Sequence, residues 1–422
     1  MSQLANTRKS WFLPTVMWLM GALSFLLQYA CRIAPSSFLE AMQYDFGFDA
    51  TSIGMVGVYF LLPYIFMQLF VGRIVDKFPA HHVLIGTTLI FFLSNQLFSE
   101  SLTVVDVAIS RCIMGAVGAF AFVVTMKLAL IWFENRFLGI LAGLTQVSGM
   151  LGAVFGGQVV DMLMIDQQWR PAIKMLSLLM GVLILLMVLI MRDKPGAKEA
   201  SSSTDVSILD GLSVVWRNPQ SWFNGLYAGL IYLPTAAFGE HWGKLYLAKT
   251  NAEIGIHQAT FVVSMIFIGW AIGGIVSGYL SDRMGRRKPL MLLAPVLCAI
   301  TLLPAIYIHT LSAWTVGGLL GLYGVFNSPL VLAYALSGEI NPARVSGVSI
   351  AFCNMSSILL GAATMPIMGM LMDSYATVNT VGTKLYTVEA YEAAVICFPI
   401  ALCLAFLCAT GIKETYCQQN KS

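Results

Sequence analysis

Long apolar runs, separated by short polar turns, recur along the whole 422-residue chain. A run of roughly 20 apolar residues is long enough to cross a bilayer as a helix, and in lipid only a helix satisfies its own backbone polar groups. The alternating segments of about 10 residues that are typical of a membrane β-barrel do not occur. The pattern predicts twelve spans, at 11–33, 50–75, 82–99, 103–133, 137–163, 170–191, 221–248, 257–281, 289–308, 311–337, 345–372 and 389–412.

One stretch near the middle of the chain breaks this pattern. Residues 192–220 are polar, and the run from Ala200 to Asp205 is rich in serine and shows no helical period. Such a composition favours a linker. The sequence therefore predicts an all-α membrane protein with twelve transmembrane helices in two pseudo-symmetric six-helix bundles. The N-terminal bundle is 1–191, the cytoplasmic linker is 192–220, and the C-terminal bundle is 221–422.

Composition supports a membrane protein and excludes several other classes. The chain is 58% hydrophobic and 11% charged, whereas soluble domains carry about 25% charged residues. A net charge of +3 gives no reason to expect a nucleic-acid partner. The eight cysteines have no metal-ligand spacing, and the chain contains no phosphate loop, HExxH or GxSxG motif. We therefore expect no enzyme activity, no cofactor, no metal and no ATP-driven step.

The distribution of Lys and Arg predicts the orientation in the membrane. If the N-terminus is cytoplasmic, most basic residues fall on the cytoplasmic side, against Arg32, Arg170, Lys244, Lys249 and Lys384 on the other side. This asymmetry predicts that both termini are cytoplasmic. The first apolar stretch is longer than the core of a signal peptide and shows no clear cleavage site, so it is interpreted as the first span.

A short motif occurs twice, about half a chain apart. Gly72-Arg-Ile-Val-Asp76-Lys follows the second predicted span, and Gly278-Tyr-Leu-Ser-Asp282-Arg follows the eighth. Further acids and bases repeat at nearly the same offset after spans four and ten. Matched acid–base turns indicate an internal duplication. We expect them to act as latches that hold the cytoplasmic side shut, formed by Asp76, Glu134, Arg136, Asp282, Glu339 and Arg344.

These motifs resemble those of the major facilitator superfamily, and the resemblance covers the whole chain. The second Gly-x-x-x-Asp turn, with Gly285-Arg286-Arg287 after it, matches best; the first departs from the pattern after Asp76, at Phe78-Pro79. Arg111 with two glycines in span four resembles another family motif. The resemblance implies a secondary transporter that is a monomer in the bacterial inner membrane. Shorter stretches resemble the proteobacterial intraphagosomal amino-acid and nucleoside transporters and their siderophore-carrying relatives.

Arg32 is the sharpest substrate-binding candidate, because a guanidinium binds carboxylate or phosphate with two parallel hydrogen bonds. The resemblance implies that the first helix lines a central cavity. The alternative is an interface arginine whose head group reaches the water. Polar groups that could line the same cavity or join helices complete the predicted set, which is Tyr29, Gln146, Tyr232, Asn327 and Asn354.

Three residues are candidates for proton coupling. Glu240 and His241 lie in predicted span seven. Burial would let a carboxyl group exchange a proton near neutral pH, and an imidazole does so without help. The alternative is that Glu240 and His241 both lie in the outer loop. Arg111 lies deeper in span four and needs a partner; it could act in a proton relay or bind the carbonyls of neighbouring helices.

The expected function is import of a small polar solute, such as an amino acid, nucleoside or small carboxylate, together with a proton. The alternatives are transport of a polycarboxylate siderophore and a transporter-like sensor that completes no transport cycle.

Overall fold

The structure is a computed structural model, and it describes residues 11–134, 137–164, 168–192, 208–378 and 384–418. The described residues of the first part of the chain form eight α-helices: α1 (Phe12–Ile33), α2 (Leu39–Phe46), α3 (Ala50–Lys77), α4 (Ala80–Ser99), α5 (Val104–Gly118), α6 (Phe120–Trp132), α7 (Leu138–Leu163) and α8 (Arg170–Ile190). A 3₁₀ turn, Ala34–Ser37, follows α1 directly.

The second part has the same helical character. It contains α9 (Ile208–Arg217), α10 (Pro219–Pro234), a π-helical segment (Thr235–Trp242), α11 (Gly243–Thr250), α12 (Ile256–Met284), α13 (Lys288–Tyr307), α14 (Ala313–Asn327), α15 (Leu330–Glu339), α16 (Ser346–Ser374), α17 (Val388–Val395) and α18 (Cys397–Gly411). A 3₁₀ turn, Ala343–Val345, precedes α16, and a two-residue antiparallel hairpin, β1 (Thr377–Val378) with β2 (Lys384–Leu385), follows it.

Eleven helical segments of the described residues are long and apolar enough to cross a membrane, as a multi-pass membrane protein requires. The predicted seventh span is helical from Pro219 to Thr250, but in three pieces, because a π-helical segment interrupts it. The count of twelve spans stays a prediction. Spans four and ten are also interrupted midway, at Ala119 and at Ser328-Pro329. Proline explains the second interruption, because it cannot donate to the backbone ladder.

Helix pairs in the first part of the chain correspond to pairs in the second. Helix α1 packs on α7 and α3 on α5, while α10 packs on α16 and α12 on α14. Small residues allow these close approaches. Gly115 lies against the Phe60 carbonyl of α3, and Gly324 lies against the Ile266 carbonyl of α12. The pairing is the one expected if spans one to six correspond to spans seven to twelve.

The two parts of the chain touch at the end of the helices that lies away from the chain termini. There Gly54 of α3 meets the Met365 backbone of α16, Gly369 of α16 meets the Ala50 backbone, and Gly157 of α7 meets Thr260 of α12. We call this the closed end. Gly54 and Gly369 let backbone meet backbone, and Gly157 makes room for a side-chain methyl group, so the contact leaves little room for a solute to pass.

The predicted linker contains a helix that the sequence pattern did not indicate. The polar run 200–205 lies outside the described residues, but Ile208–Arg217 form α9, which packs on the start of α16. Val215 is fully buried with Val345 and Phe352 beneath it. The linker is therefore partly structured, and α9 is held to the second half of the chain.

Candidate functional site

Arg32 and Glu240 form an ion pair that joins the two halves of the chain. Arg32 Nη2 lies 2.5 Å from Glu240 Oε2. Two phenols complete the group: Tyr232 Oη donates to Glu240 Oε1 at 2.6 Å, and Tyr29 Oη donates to the same oxygen at 3.1 Å. Arg32 Nη2 also donates to Tyr232 Oη at 3.2 Å. We call these four residues the central cluster.

The charged side chains of the central cluster are almost completely buried. The Arg32 side chain is 10% exposed and that of Glu240 is 3% exposed. The guanidinium lies 4.9 Å from the centre of the Tyr29 ring, which adds a cation–π contact. Arg32 Nε is buried and has no hydrogen-bond partner among the described residues. A buried charged group with an unused donor is costly, and such sites are common where a ligand binds.

Local helix geometry explains how the sequence assembles this cluster. Tyr29 and Arg32 are three residues apart in α1 and therefore share a face. Tyr232 lies in the last turn of α10, and Glu240 lies in the π-helical segment that follows that helix. The wider turn of a π-helix changes the direction in which side chains point, and such turns are frequent at functional sites. Here it directs Glu240 toward α1.

Sequence analysis predicted Arg32 and Glu240 as separate candidates and did not predict that they pair. Residues 208 positions apart come together only through packing of α1 against the seventh helical segment. The outer-loop alternative for Glu240 and His241 is wrong, since both lie inside a helical segment and are 5% and 3% exposed. The water-reaching alternative for Arg32 is wrong as well, because its head group is occupied by Glu240.

His241 lies beside the central cluster but does not join it. Its Nε2 is 3.0 Å from the Ile53 carbonyl of α3, and its ring packs edge-on against Trp242. The histidine therefore links the seventh helical segment to α3 at the closed end. Among the residues that the structure describes, His241 has no acidic partner. Its role in proton coupling stays a prediction.

Arg111 binds backbone rather than an acidic side chain. Its guanidinium donates to the carbonyls of Cys31, Arg32 and Val56 at 3.3–3.5 Å and lies 4.8 Å from the centre of the Phe60 ring. The first two carbonyls belong to the last turn of α1, whose carbonyls have no partner within the helix. This is the structural alternative that the sequence left open, and it places Arg111 as a support for the end of α1.

The three candidate amides occupy different environments. Asn327 is fully buried, and its amide donates to the Ile231 carbonyl at 2.6 Å while its oxygen accepts from Thr235. It therefore connects helices within the second half of the chain. Asn354 is half-buried and accepts a hydrogen bond from Tyr334 Oη at 3.2 Å. Gln146, its counterpart by duplication, is also half-buried.

The predicted latch residues form a different set of pairs from the expected one. Arg287, not Arg344, pairs with the two predicted latch acids of the second half, at 2.8 Å from Asp282 and 2.9 Å from Glu339. Arg344 is exposed and forms no ion pair with a described residue. All these partners lie within the second half of the chain, so this cluster does not bridge the halves.

The structure defines fewer contacts for the predicted latch residues of the first half. Asp76 is exposed and makes no ion pair with another described residue. Glu134 is exposed but does have an interaction partner. Arg136 lies outside the described residues.

Ion pairs reinforce the closed end. Lys244 Nζ pairs with Asp161 across the two halves and also donates to the Ser37 carbonyl. Both side chains are more than nine-tenths buried, and His257 Nδ1 lies 3.0 Å from the second Asp161 oxygen. A cavity of about 360 Å³ opens beside them, lined in part by Ser36 and Ser37.

A second group of charges lies on the hairpin side of the closed end. Lys384 Nζ is 3.0 Å from Asp373 and 3.2 Å from Asp49, which begins α3. The hydrogen bond to Asp373, aided by the one to Asp49 and opposed by slight burial, raises the pKa of Lys384. Asp373 also accepts from Thr51, so β2, α16 and α3 are tied together. The polar contacts between the halves described above thus lie in the central cluster or at the closed end.

The arrangement has the features of a solute pathway rather than of a reaction centre. Among the described residues no three His, Cys, Asp or Glu side chains gather as metal ligands. A buried charged pair sits between two halves that close one end of the molecule. A multi-pass helical fold with such a pair between its halves is typical of a transporter.

The chain belongs to the major facilitator superfamily, whose family model matches residues 17–248 and 231–414. It is 22% identical over 365 residues to a probable hexose phosphate transport protein of Chlamydia pneumoniae, covering 78% of this chain and 79% of that one. It is 20% identical over 406 residues to the probable galactarate/D-glucarate transporter GudP of Bacillus subtilis, covering 89% and 88%. The protein is a secondary transporter of small solutes.

The fold also matches solved structures. A bacterial homologue of the human lysosomal transporter Spinster, solved inward-facing and unoccupied, superposes with a TM-score of 0.75 at 14% identity, covering 97% of this chain and 99% of that one. At this identity the likeness shows the fold alone. The closer resemblance to the intraphagosomal amino-acid and nucleoside transporters stays a prediction.

Proposed function

We propose that this protein carries a small anionic solute across the bacterial inner membrane together with a proton. Arg32 receives the anionic group and Glu240 receives the proton. The carrying observation is the 2.5 Å ion pair between these two side chains at the junction of the halves.

The proposed exchange follows from charge balance. A carboxylate or phosphate that binds Arg32 displaces the Glu240 carboxylate, which is 3% exposed and then has no cation. The net charge of the buried cluster is then restored when Glu240 takes up a proton. Tyr29 and Tyr232 remain hydrogen-bonded to it. Binding of the solute alone would leave the site with a negative charge, and binding of the proton alone would leave it with a positive charge. Solute and proton therefore move together.

Two of the similar proteins support an anionic cargo by their names, which refer to hexose phosphate and to galactarate or D-glucarate. An amino acid is the second candidate, because its carboxylate fits Arg32 and its ammonium fits Glu240. The ammonium of such a zwitterion would pair with Glu240 in place of Arg32. Glu240 then keeps a cationic partner, so no proton is taken up when the zwitterion binds.

The rest of the cycle follows the predicted architecture. Two six-helix bundles, 1–191 and 221–422, rock about the central cluster while the linker joins them. Both termini are cytoplasmic, so the closed end is the periplasmic one and the solute leaves toward the cytoplasm. The protein works as a monomer surrounded by lipid.

The first test identifies the ligand and its contact. A ligand that binds the folded state raises the thermal midpoint of the purified protein, so monocarboxylates, sugar phosphates, amino acids and nucleosides are compared. For the strongest ligand, Arg32→Lys should lose most binding, because an ammonium cannot replace the guanidinium fork. Arg170→Lys is the matched control, since Arg170 lies on the surface at the closed end. Unchanged affinity in Arg32→Ala would contradict the assignment.

The second test separates coupling from binding. In proteoliposomes, Glu240→Gln should lose accumulation driven by a proton gradient yet keep solute counterflow, which needs no net proton movement. The pH dependence of uptake should flatten in the same variant, and His241→Ala should have the smaller effect. Gradient-driven accumulation that survives in both variants would exclude this segment as the proton site. Binding without counterflow in the wild type would favour the sensor.

A further inference from the structure

The cavity at the closed end lies between the two halves of the chain. Its volume is about 360 Å³, and small-molecule sites have volumes of about 300–1,000 Å³. The first half contributes Ser36, Ser37 and Asp161 to the lining, and the second half contributes Lys244 and His257. Apolar side chains of both halves complete the wall. The cavity therefore has room for a small polar solute, and it opens when the halves move apart.

The three ion pairs beside this cavity have the same direction. Asp161 belongs to the first half, and its partners Lys244 and His257 belong to the second. Glu40, which also lines the cavity, pairs with Lys249 of the second half. When the halves separate, these acids leave with the first half and the bases stay on the second. The second half then presents basic side chains whose partners have been withdrawn.

Lys244 loses the most when the end opens. Its side chain is almost completely buried, whereas those of Lys249 and His257 are exposed. Lys244 Nζ donates to the Ser37 carbonyl at 3.1 Å as well as to Asp161, and both acceptors belong to the first half. Opening thus removes both acceptors at once. A carboxylate or phosphate that enters the opened cavity can replace them through charge-assisted hydrogen bonds.

The same two elements carry the central cluster about one helical turn further from the closed end. Lys244 follows Glu240 by four residues, and Ser37 follows Arg32 by five. Residues four apart in a helix lie on the same face. An anion at Lys244 is therefore about one turn away from Arg32 along the contact between the halves. The chain offers an anionic solute two cations in series, the outer one on the second half and the inner one on the first.

We propose that Lys244, assisted by His257, is an outer binding site for the anionic group of the solute, and that Asp161 occupies this site as an internal counter-ion while the end is closed. This inference rests on the proposed function, in which the solute is anionic and enters through the closed end. In the open state the carboxylate or phosphate of the solute replaces Asp161 at Lys244. The solute then passes to Arg32, and Asp161 returns to Lys244 as the end closes.

A purely structural ion pair makes a different prediction. If Lys244 only ties the halves together, removing its charge and removing the charge of Asp161 are equivalent, because either change breaks the same contact. If Lys244 also binds the solute, the two changes differ, because only one of them removes the cation. Two variants that open the same end thus serve as each other's control.

The experiment measures anion binding in the cavity itself. Ser36→Cys places a thiol in the cavity lining of the full-length protein, whose native cysteines are replaced, and a maleimide labels this thiol. Each variant also carries Arg32→Ala, so that the central cluster lacks its cation. The probes are D-glucose 6-phosphate and D-glucarate, and D-glucitol is the uncharged control. The measured quantity is the probe concentration that halves the labelling rate.

Asp161→Asn and Lys244→Gln should both label faster than the parent, since each breaks the buried pair. In Asp161→Asn both anions should slow labelling, with half-protection at a concentration about tenfold lower than in Lys244→Gln, the low end of what a hydrogen bond to a charged group contributes. D-glucitol should protect neither variant. Asp161→Ser removes the same charge if Asp161→Asn does not fold.

Lys249→Gln, added to Asp161→Asn, is the matched control. It removes a base from the same half and the same end, but the Lys249 side chain is exposed. The concentration for half-protection should therefore change by less than about threefold.

The outcomes separate this inference from the proposed function. Equal half-protection concentrations in Asp161→Asn and Lys244→Gln would overturn the inference and leave Lys244 as a structural tie. Equal protection by D-glucitol, or no protection by either anion in Asp161→Asn, would overturn it as well. The proposed function fails by another result, namely wild-type solute affinity in Arg32→Ala with Asp161 and Lys244 both native.

Discussion

Removing the buried ion pair at the closed end should release that end. Lys244 and Asp161 are 6% and 9% exposed and belong to different halves of the chain. In Lys244→Ala, Asp161 keeps His257, whose side chain is 79% exposed, but loses its buried cation. When the end opens, Asp161 reaches water and this cost disappears. The substitution therefore penalises the closed state specifically.

The size of the effect follows from the burial. Breaking a buried ion pair by removing one partner costs about 3–5 kcal/mol. Because His257 still contacts Asp161, we take the lower end, about 3 kcal/mol, which corresponds to roughly a hundredfold shift in the equilibrium toward opening. The double variant Lys244→Met with Asp161→Leu leaves no unpaired charge and should recover most of the closed population.

The assay reports how often the end opens. Thr260 is 6% exposed and contacts Gly157 across the two halves, so Thr260→Cys is labelled by a bulky maleimide only after opening. With the native cysteines replaced, the labelling rate should rise about a hundredfold in Lys244→Ala.

Lys249→Ala is the matched control for this measurement. Lys249 pairs with Glu40 across the same two halves, but both side chains are more than 40% exposed. Such a surface pair contributes about 0–1 kcal/mol, so labelling should rise less than about fivefold. Equal rates in Lys244→Ala and Lys249→Ala would refute the reasoning, as would a double variant that labels as fast as the single one.

Three further predictions concern latches and helix packing. Asp76→Asn and Asp282→Asn should keep expression, slow turnover and favour the state with the closed end shut; wild-type transport rates in both would contradict the latch role. Arg287→Ala should lower the thermal midpoint more than Asp282→Asn, because Asp282 is 71% exposed whereas Arg287 also holds a second, largely buried acid; equal midpoints would argue against this. Gly152→Val should reduce folded yield, since its side chain would meet the α1 backbone, whereas Gly86→Ala has open space and should not.

Much of the fold was predictable from local sequence because lipid imposes it. Apolar runs of bilayer length must be helices, and the described helices fall on the predicted spans within a few residues. The family was also readable, since the repeated Asp76 and Asp282 turns are short motifs of contiguous residues. Such features are formed by residues that are adjacent in sequence, so they can be recognised without a structure.

The central cluster depended on tertiary structure. Sequence reasoning singled out Arg32 and Glu240 because charges in apolar segments are rare, but nothing in the chain says that residues 208 positions apart are hydrogen-bonded. The signal that could have found the pair is that a charged side chain in an apolar span needs a partner, and Arg32 and Glu240 lie in different predicted spans and have opposite charges.

The roles of Arg111, Asn327 and Arg287 were likewise decided by packing. Each has a side chain that could bind a solute, a proton carrier or another helix equally well by its chemistry. The structure places Arg111 on backbone carbonyls, Asn327 between helices and Arg287 between two acids. Hydropathy determines which segments enter the membrane, because that depends on each segment alone. Which polar groups meet inside it depends on helix rotation and on the π-helical turn in the seventh segment, and these are set by contacts between distant parts of the chain.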